Sequence, residues 1–252
     1  RDSSTSRGLG DVYKRQALTL SRMVHFTLFG IPVYIRPSFW VVLAIFGGAL
    51  SISSVEDLIY PALFVIAGFV AILSHEMGHA LVGRKLGGGQ QTIVLELFGG
   101  LTSSHGMQLT RGGRALMILA GPMMTLLLGI ISLWLTWNIV APVMTSYNLN
   151  FWDLAISPFT AALISPKLYI LSCLIMIGEW WTILNLLPIY PLDGGQLIAQ
   201  YIRSPRKVFM TGFITAILIG LLSFQLFHGY FIPIFMALFA YSNYREYKNA
   251  PF

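Results

Sequence analysis

Leu58-Ile-Tyr-Pro-Ala-Leu-Phe-Val-Ile-Ala-Gly-Phe-Val-Ala-Ile-Leu73 runs directly into Ser74-His75-Glu76-Met77-Gly78-His79. The first stretch is apolar and of near-membrane length. The second is an H-E-x-x-H motif. Two histidines four residues apart lie one turn above each other on one helix face, so both imidazoles can reach one metal ion. The carboxylate between them can hold water and take its proton. Sixteen helical residues from Leu58 to Leu73 rise about 24 Å, most of a hydrocarbon core about 30 Å thick. His75 and His79 are therefore expected inside the membrane, near the exit side of their helix. Ionisable groups at such depth are costly and mark function by default.

The rest of the composition agrees with a membrane setting. Of 252 residues, 56% are hydrophobic and only 10% are charged, against about 25% charged in soluble domains. The single cysteine, Cys173, excludes an internal disulfide framework and zinc held by several thiolates. Histidine and carboxylate ligands remain. Residues 1–22 are polar and unpatterned, and read as a non-native or disordered leader with Met23 the expected start. Residues 23–252 are read as one membrane-embedded domain.

Phe26 to Ile35 suggests two short strands bending near Gly30. A first membrane helix is expected from Ser38 to about Ile52, and a second, bearing the motif, from about Leu58 to Leu86. Thr92–Phe98 alternates as a strand, with a hairpin through Leu101 and Thr102. Further helices are expected at about Arg114–Val140, Leu168–Leu187 and Val208–Phe227. A short helix lies at Gln196–Ile202, and an apolar segment, Phe231–Tyr241, closes the bundle. Residues 141–166 read as an irregular loop with Tyr147, Phe151, Trp152 and Phe159 as interfacial anchors. The fold class is thus an all-α polytopic membrane protein of about six transmembrane helices, with a small β-hairpin or sheet at the cytoplasmic face.

On that topology Arg36, Arg84, Lys85, Arg111, Arg114, Arg203, Arg206, Lys207, Arg245 and Lys248 share one side, with Lys167 opposite. The positive-inside rule makes that side cytoplasmic, together with both termini. The same charges account for the formal net charge of +6. No basic-aromatic nucleic-acid platform is evident, and no nucleic-acid partner is expected.

A catalytic zinc site usually takes three protein ligands and keeps one open position. Asp193, Glu96, Glu179 and His105 are the candidates for the third. Asp193 fits best: it follows a helix broken by Pro188 and Pro191, on the side where His79 lies. Irregular backbone at membrane depth is tolerated only where it lines a protein cavity. The plain alternative is that Asp193 simply N-caps the helix after it. Glu179 lies deeper, Glu96 fits the solvated face of a strand, and His105 follows the hairpin. Asn185, three residues before the break, can stabilise an oxyanion or hold a substrate backbone; an interhelical hydrogen bond is the competing role.

His75-Glu76-Met77-Gly78-His79, taken with Asn185-Leu-Leu-Pro-Ile-Tyr-Pro-Leu-Asp193-Gly-Gly195, resembles the site-2 protease family of intramembrane zinc metalloproteases. Gly99-Gly100 and Ala120-Gly121-Pro122 extend the resemblance over most of residues 25–200. The resemblance implies a three-helix catalytic core within about residues 58–202, and one zinc ion on His75, His79 and Asp193. It implies Glu76 as the group that activates water and Asn185 near the scissile bond. The substrates it implies are single-span membrane proteins, cleaved within the lipid bilayer of a prokaryotic plasma membrane. Many members carry asparagine where this chain has Thr125. The 26-residue stretch 141–166 is too short for a PDZ domain, so a compact form without PDZ or CBS domains is expected.

Under this reading Thr92–Phe98 offers its edge to an unwound substrate segment. The rival readings are a membrane metal transporter and an inactive, protease-like binder of membrane proteins. A transit site needs ligands on both sides of the midplane, and a pure binder needs no general base at Glu76.

Overall fold

The computed structural model describes residues 23–97, 99–106, 108–142 and 150–251. The expectations for residues 1–22 and for Tyr147 fall outside the described residues.

The chain begins with a hairpin, β1 (Val24–Leu28) and β2 (Ile31–Ile35). Phe29 and Gly30, both at positive φ, make its two-residue turn, a geometry that matches the right-handed twist of the strands. Pro37 sits in the first turn of α1 (Pro37–Phe46), where its missing N–H costs nothing. This helix is shorter than the expected Ser38–Ile52. Gly48 turns to φ 90°, and only a short 3-10 turn, Ala49–Ser51, follows. Ten residues span about 15 Å, half of a hydrocarbon core.

The long motif-bearing helix α2 (Ile59–Gly87) comes next, then β3 (Gln90–Glu96) and β4 (Gly99–His105). The strands form one four-stranded sheet in the order β1-β2-β3-β4. β2 and β3 are parallel, with Val33 opposite Ile93 and Ile35 opposite Leu95; α1 and α2 together supply the crossover that a parallel pair requires. The inward residues Ile31, Val33, Ile35, Ile93 and Leu95 are essentially fully buried against Phe39, Leu43, Ile72, Leu73, Met77 and Ala80. Each such side chain contributes about 1.5–3 kcal/mol of burial, which fixes the sheet against the helix carrying the histidines.

Helix α3 (Arg111–Val140) is N-capped by Thr110, whose hydroxyl accepts from the Gly113 amide. The stretch expected as an irregular loop instead holds two short helices, α4 (Phe151–Ile156) and α5 (Pro158–Ala162). Asn150 and Ser157 cap them. Helix α6 (Pro166–Asn185) ends at the proline-rich turn, and α7 (Asp193–Ala199) follows it. The antiparallel pair α8 (Pro205–Phe227) and α9 (Phe231–Asn249) completes the described chain.

Among the described residues four helices are long and apolar enough to cross a membrane: Glu56–Gly87, Arg111–Val140, Pro166–Asn185 and Pro205–Leu226. The protein is therefore a multi-pass, mostly helical membrane protein with a small sheet. Helices α2, α3 and α6 pack mutually, as expected of a three-helix core.

Candidate metal centre

His75 and His79 project from one face of α2 and are buried. Their Nε2 atoms are 3.1 Å apart. Asp193, in the first turn of α7, brings its Oδ2 to 3.0 Å from His75 Nε2 and 3.4 Å from His79 Nε2. Three donors from two distant segments thus converge on one point, and they form the one such group of potential ligands among the described residues.

Four ligands held tetrahedrally at about 2.0–2.1 Å stand about 3.3 Å from one another. The observed triangle of 3.0, 3.1 and 3.4 Å has that size. Its chemistry also suits a metal. Met117's carbonyl can only accept, so His79 Nδ1, 2.8 Å away, donates to it. In the neutral ring Nε2 then carries a lone pair facing the other donors. Asp193 Oδ2 is buried and faces the two imidazole Nε2 atoms. Two imidazoles and a carboxylate are a ligand set fit for zinc, with room for a fourth ligand.

Glycines decide how the segments come together. A Cβ at Gly78 would run into the Ala120 carbonyl, so the backbones of α2 and α3 meet there. A Cβ at Gly121 would fall on the His79 imidazole. At Gly194 and Gly195 a Cβ would strike the Leu186, Leu187 and Ile189 carbonyls. The Asp193-Gly194-Gly195 sequence therefore lets α7 start tightly under the turn that delivers the aspartate.

Glu76 is buried, and its Oε2 accepts a hydrogen bond from the Thr102 hydroxyl at 2.7 Å. Gly100 lies against the same carboxylate; a Cβ there would collide with it. One oxygen is thus held by β4 while the other, Oε1, remains over Gly100. A cleft of about 630 Å³ joins these parts, within the size of small-ligand sites and suited to a short peptide segment. His75, Glu76, His79, Asp193 and Asn185 all line it, with Gly99–Thr102 of β4 on one wall and Phe235, Leu238 and Phe239 of α9 on another.

The remaining candidates separate. Asn185 lines the cleft and donates one N–H to the Trp181 carbonyl at 2.9 Å. Glu96 also lines the cleft but pairs with Arg36 at 3.0 Å. Glu179 and His105 are exposed and stand outside the ligand group. Thr125 bonds Thr182 across 2.9 Å, joining α3 to α6 one turn before Asn185. The expected edge strand is corrected: β3 is paired on both sides, and β4 is the free edge at the cleft. Thr102, Met117 and Trp181 escaped sequence reasoning. A hairpin threonine, a main-chain carbonyl and a helix tryptophan carry no signal that depends on spacing.

A buried His-His-Asp metal cradle with an adjacent glutamate, set among membrane helices, defines a zincin-type membrane protein. Residues 63–227 match the model of Peptidase family M50, and the chain belongs to that family. It is 29% identical over 227 residues to a zinc metalloprotease of Methanocaldococcus jannaschii, covering 86% of this chain and 57% of that one. A relative from Synechocystis is 28% identical over 188 residues, 70% of this chain and 43% of its own. The chain thus spans about half the length of these curated relatives. The fold is similar to the site-2 protease structure from Methanocaldococcus jannaschii, with a TM-score of 0.57 and 24% identity over 89% of this chain and 95% of that one.

Proposed function

We propose that this protein is a zinc-dependent endopeptidase that cuts the transmembrane segments of single-span membrane proteins within the bilayer. The observation that carries this reading is the Glu76 carboxylate beside the His75–His79–Asp193 triangle, at the floor of one cleft. Family membership and the named relative support zinc as the metal.

His75 and His79 through Nε2, and Asp193 through Oδ2, would hold the ion. Zinc bound there supplies Lewis acidity, polarising a carbonyl and making water a stronger acid. Glu76 takes a proton from the attacking water at Oε1, because Thr102 occupies Oε2. Water oxygen adds to the scissile carbonyl carbon, the C–N bond breaks, and Glu76 returns the proton to the departing amine. Asn185 donates to the substrate near the oxygen that gains charge.

A helical substrate has its carbonyls tied up, so the segment unwinds before attack. The free edge of β4 at Gly99–Thr102 receives it by strand addition, which replaces the β3 edge expected from sequence. The chain lies in a prokaryotic plasma membrane with both termini cytoplasmic. Arg84 and Lys85 end α2, Arg111 and Arg114 begin α3, and Arg206 and Lys207 begin α8, which in this topology puts them on one side.

The test is Glu76→Gln, with bound zinc and cleavage of a co-expressed single-span protein both measured. Zinc retained with cleavage lost is the expected result. A variant that still cleaves, or a wild type that moves zinc across vesicles without cutting any single-span protein, overturns the reading.

A further inference from the structure

The turn that delivers Asp193 does not stand alone. Ile189 is fully buried in a cluster with Ala216 of α8 and Met236 and Ala240 of α9. Tyr190, the next residue, stacks edge-on against Phe209 of α8 at 5.5 Å. Its carbonyl oxygen accepts from Asn243 Nδ2 of α9 at 2.6 Å. The second N–H of that amide goes to the Phe239 carbonyl at 2.9 Å. Both partners can only accept, so the amide's orientation is settled by chemistry.

Asn243 is 1% exposed. An amide buried that deeply is costly unless paired, and a free carbonyl in a broken helix at membrane depth is costly too. The amide nitrogen and the Tyr190 carbonyl satisfy each other, while the amide's Oδ1 is buried against Gly212 with no hydrogen-bond donor among the described residues. Across the helix pair, Gly212 of α8 lies directly against the carboxamide, and a Cβ there would collide with it. The bond is therefore boxed in from both helices, three residues ahead of the aspartate.

We propose that Asn243 is a positioning residue for the metal centre: through the Tyr190 carbonyl, α9 sets where the Asp193 carboxylate stands relative to His75 and His79. The inference rests on reading Asp193 as the third ligand. A partner bonded directly to a ligand governs metal affinity by about 10- to 100-fold; Asn243 acts through three residues of backbone, so the lower end of that range applies. A merely structural amide would instead affect only the packing of α8 against α9.

The experiment uses the full chain in lipid nanodiscs and four variants. Asn243→Leu keeps the branching at the γ position and removes the donor. Gly212→Ala keeps the donor and displaces the amide. Phe224→Ala removes the ring contact with Tyr230 at the far end of the same helix pair, away from the turn, and Asp193→Asn tests the ligand itself. Zinc affinity by chelator competition, the visible spectrum of the cobalt-substituted protein, and amide exchange of residues 186–193 in the metal-free chain are read together. Asn243→Leu and Gly212→Ala are expected to weaken zinc about tenfold, shift the cobalt bands and speed exchange in the turn. Phe224→Ala is expected to lower the melting temperature with zinc affinity held within about twofold. Unchanged affinity, spectrum and exchange in Asn243→Leu, with Asp193→Asn losing zinc, overturns the positioning role alone. Full zinc affinity in Asp193→Asn overturns the ligand reading beneath it. If Asn243→Leu does not fold, Gly212→Ala decides by the same three readouts.

Discussion

The Thr102 hydroxyl stands 2.7 Å from Glu76 Oε2, tying the edge strand of the sheet to the carboxylate beside the metal cradle. The bond crosses from β4 to α2, so the sheet fixes a side chain of the candidate site as well as the fold. It holds one carboxylate oxygen and leaves the other, Oε1, for the proton transfer proposed above.

Thr102→Val keeps the shape and removes the donor. Cleavage is expected to fall about 10- to 100-fold, a part of the roughly 10²–10⁴-fold that a positioned general base contributes, with zinc content unchanged. Single-turnover rates alongside metal analysis check this. A variant with full activity would show that the carboxylate needs no such anchor.

Gly100→Ala and Gly121→Ala make a pair with opposite signatures. The first Cβ would land on the Glu76 side chain and the second on the His79 ring. Gly100→Ala is expected to lose cleavage and keep zinc. Gly121→Ala is expected to weaken zinc by at least about tenfold. Chelator competition and a cleavage assay on the same preparations separate the two.

How much of this was legible beforehand follows from the range of each interaction. His75, Glu76 and His79 lie within one helical turn, so their spacing reveals them without knowledge of the fold. Asp193 was legible because Pro188, Pro191 and the two glycines mark an irregular turn at membrane depth. The edge strand was not: β3 loses its free edge to β2, which lies across a crossover of two helices, and alternation within a strand says nothing about its neighbours. The helices at Phe151–Ile156 and Pro158–Ala162 carried capping signals in Asn150 and Ser157, but each is too short for a visible period. The first helix stops at Phe46 because the chain turns left-handed at Gly48, a choice that an apolar run does not announce. Asn243 gave no sign at all, since its partner is a main-chain carbonyl 53 residues away.

Strand addition at β4 leaves a pattern that can be read directly. Leu101 is 55% exposed on the cleft wall, whereas Ile93 of β3 is fully buried. Leu101→Cys is expected to form disulfides with single-cysteine substrates at every second position around the cleavage site. Ile93→Cys is expected to form none. Cross-links at every third or fourth position would mean that the substrate stays helical.

Metal removal should destabilise without unfolding. The sheet and the helices pack through apolar residues independently of the cradle. At free zinc 100 times its dissociation constant, the bound ion contributes about 2.7 kcal/mol. Chelation is expected to lower the melting temperature and leave the far-ultraviolet circular dichroism unchanged. Loss of helicity on chelation would make the metal a condition of folding.

The central claim is that His75, His79 and Asp193 together hold one zinc ion, and zinc K-edge X-ray absorption of the purified chain tests it most directly. The account predicts one zinc per chain, ligated by two imidazoles and by oxygen at about 2.0–2.2 Å. Replacing His75, His79 or Asp193 singly should remove one ligand from that shell. A shell without imidazole scattering, or one that stays the same in all three variants, would contradict the account.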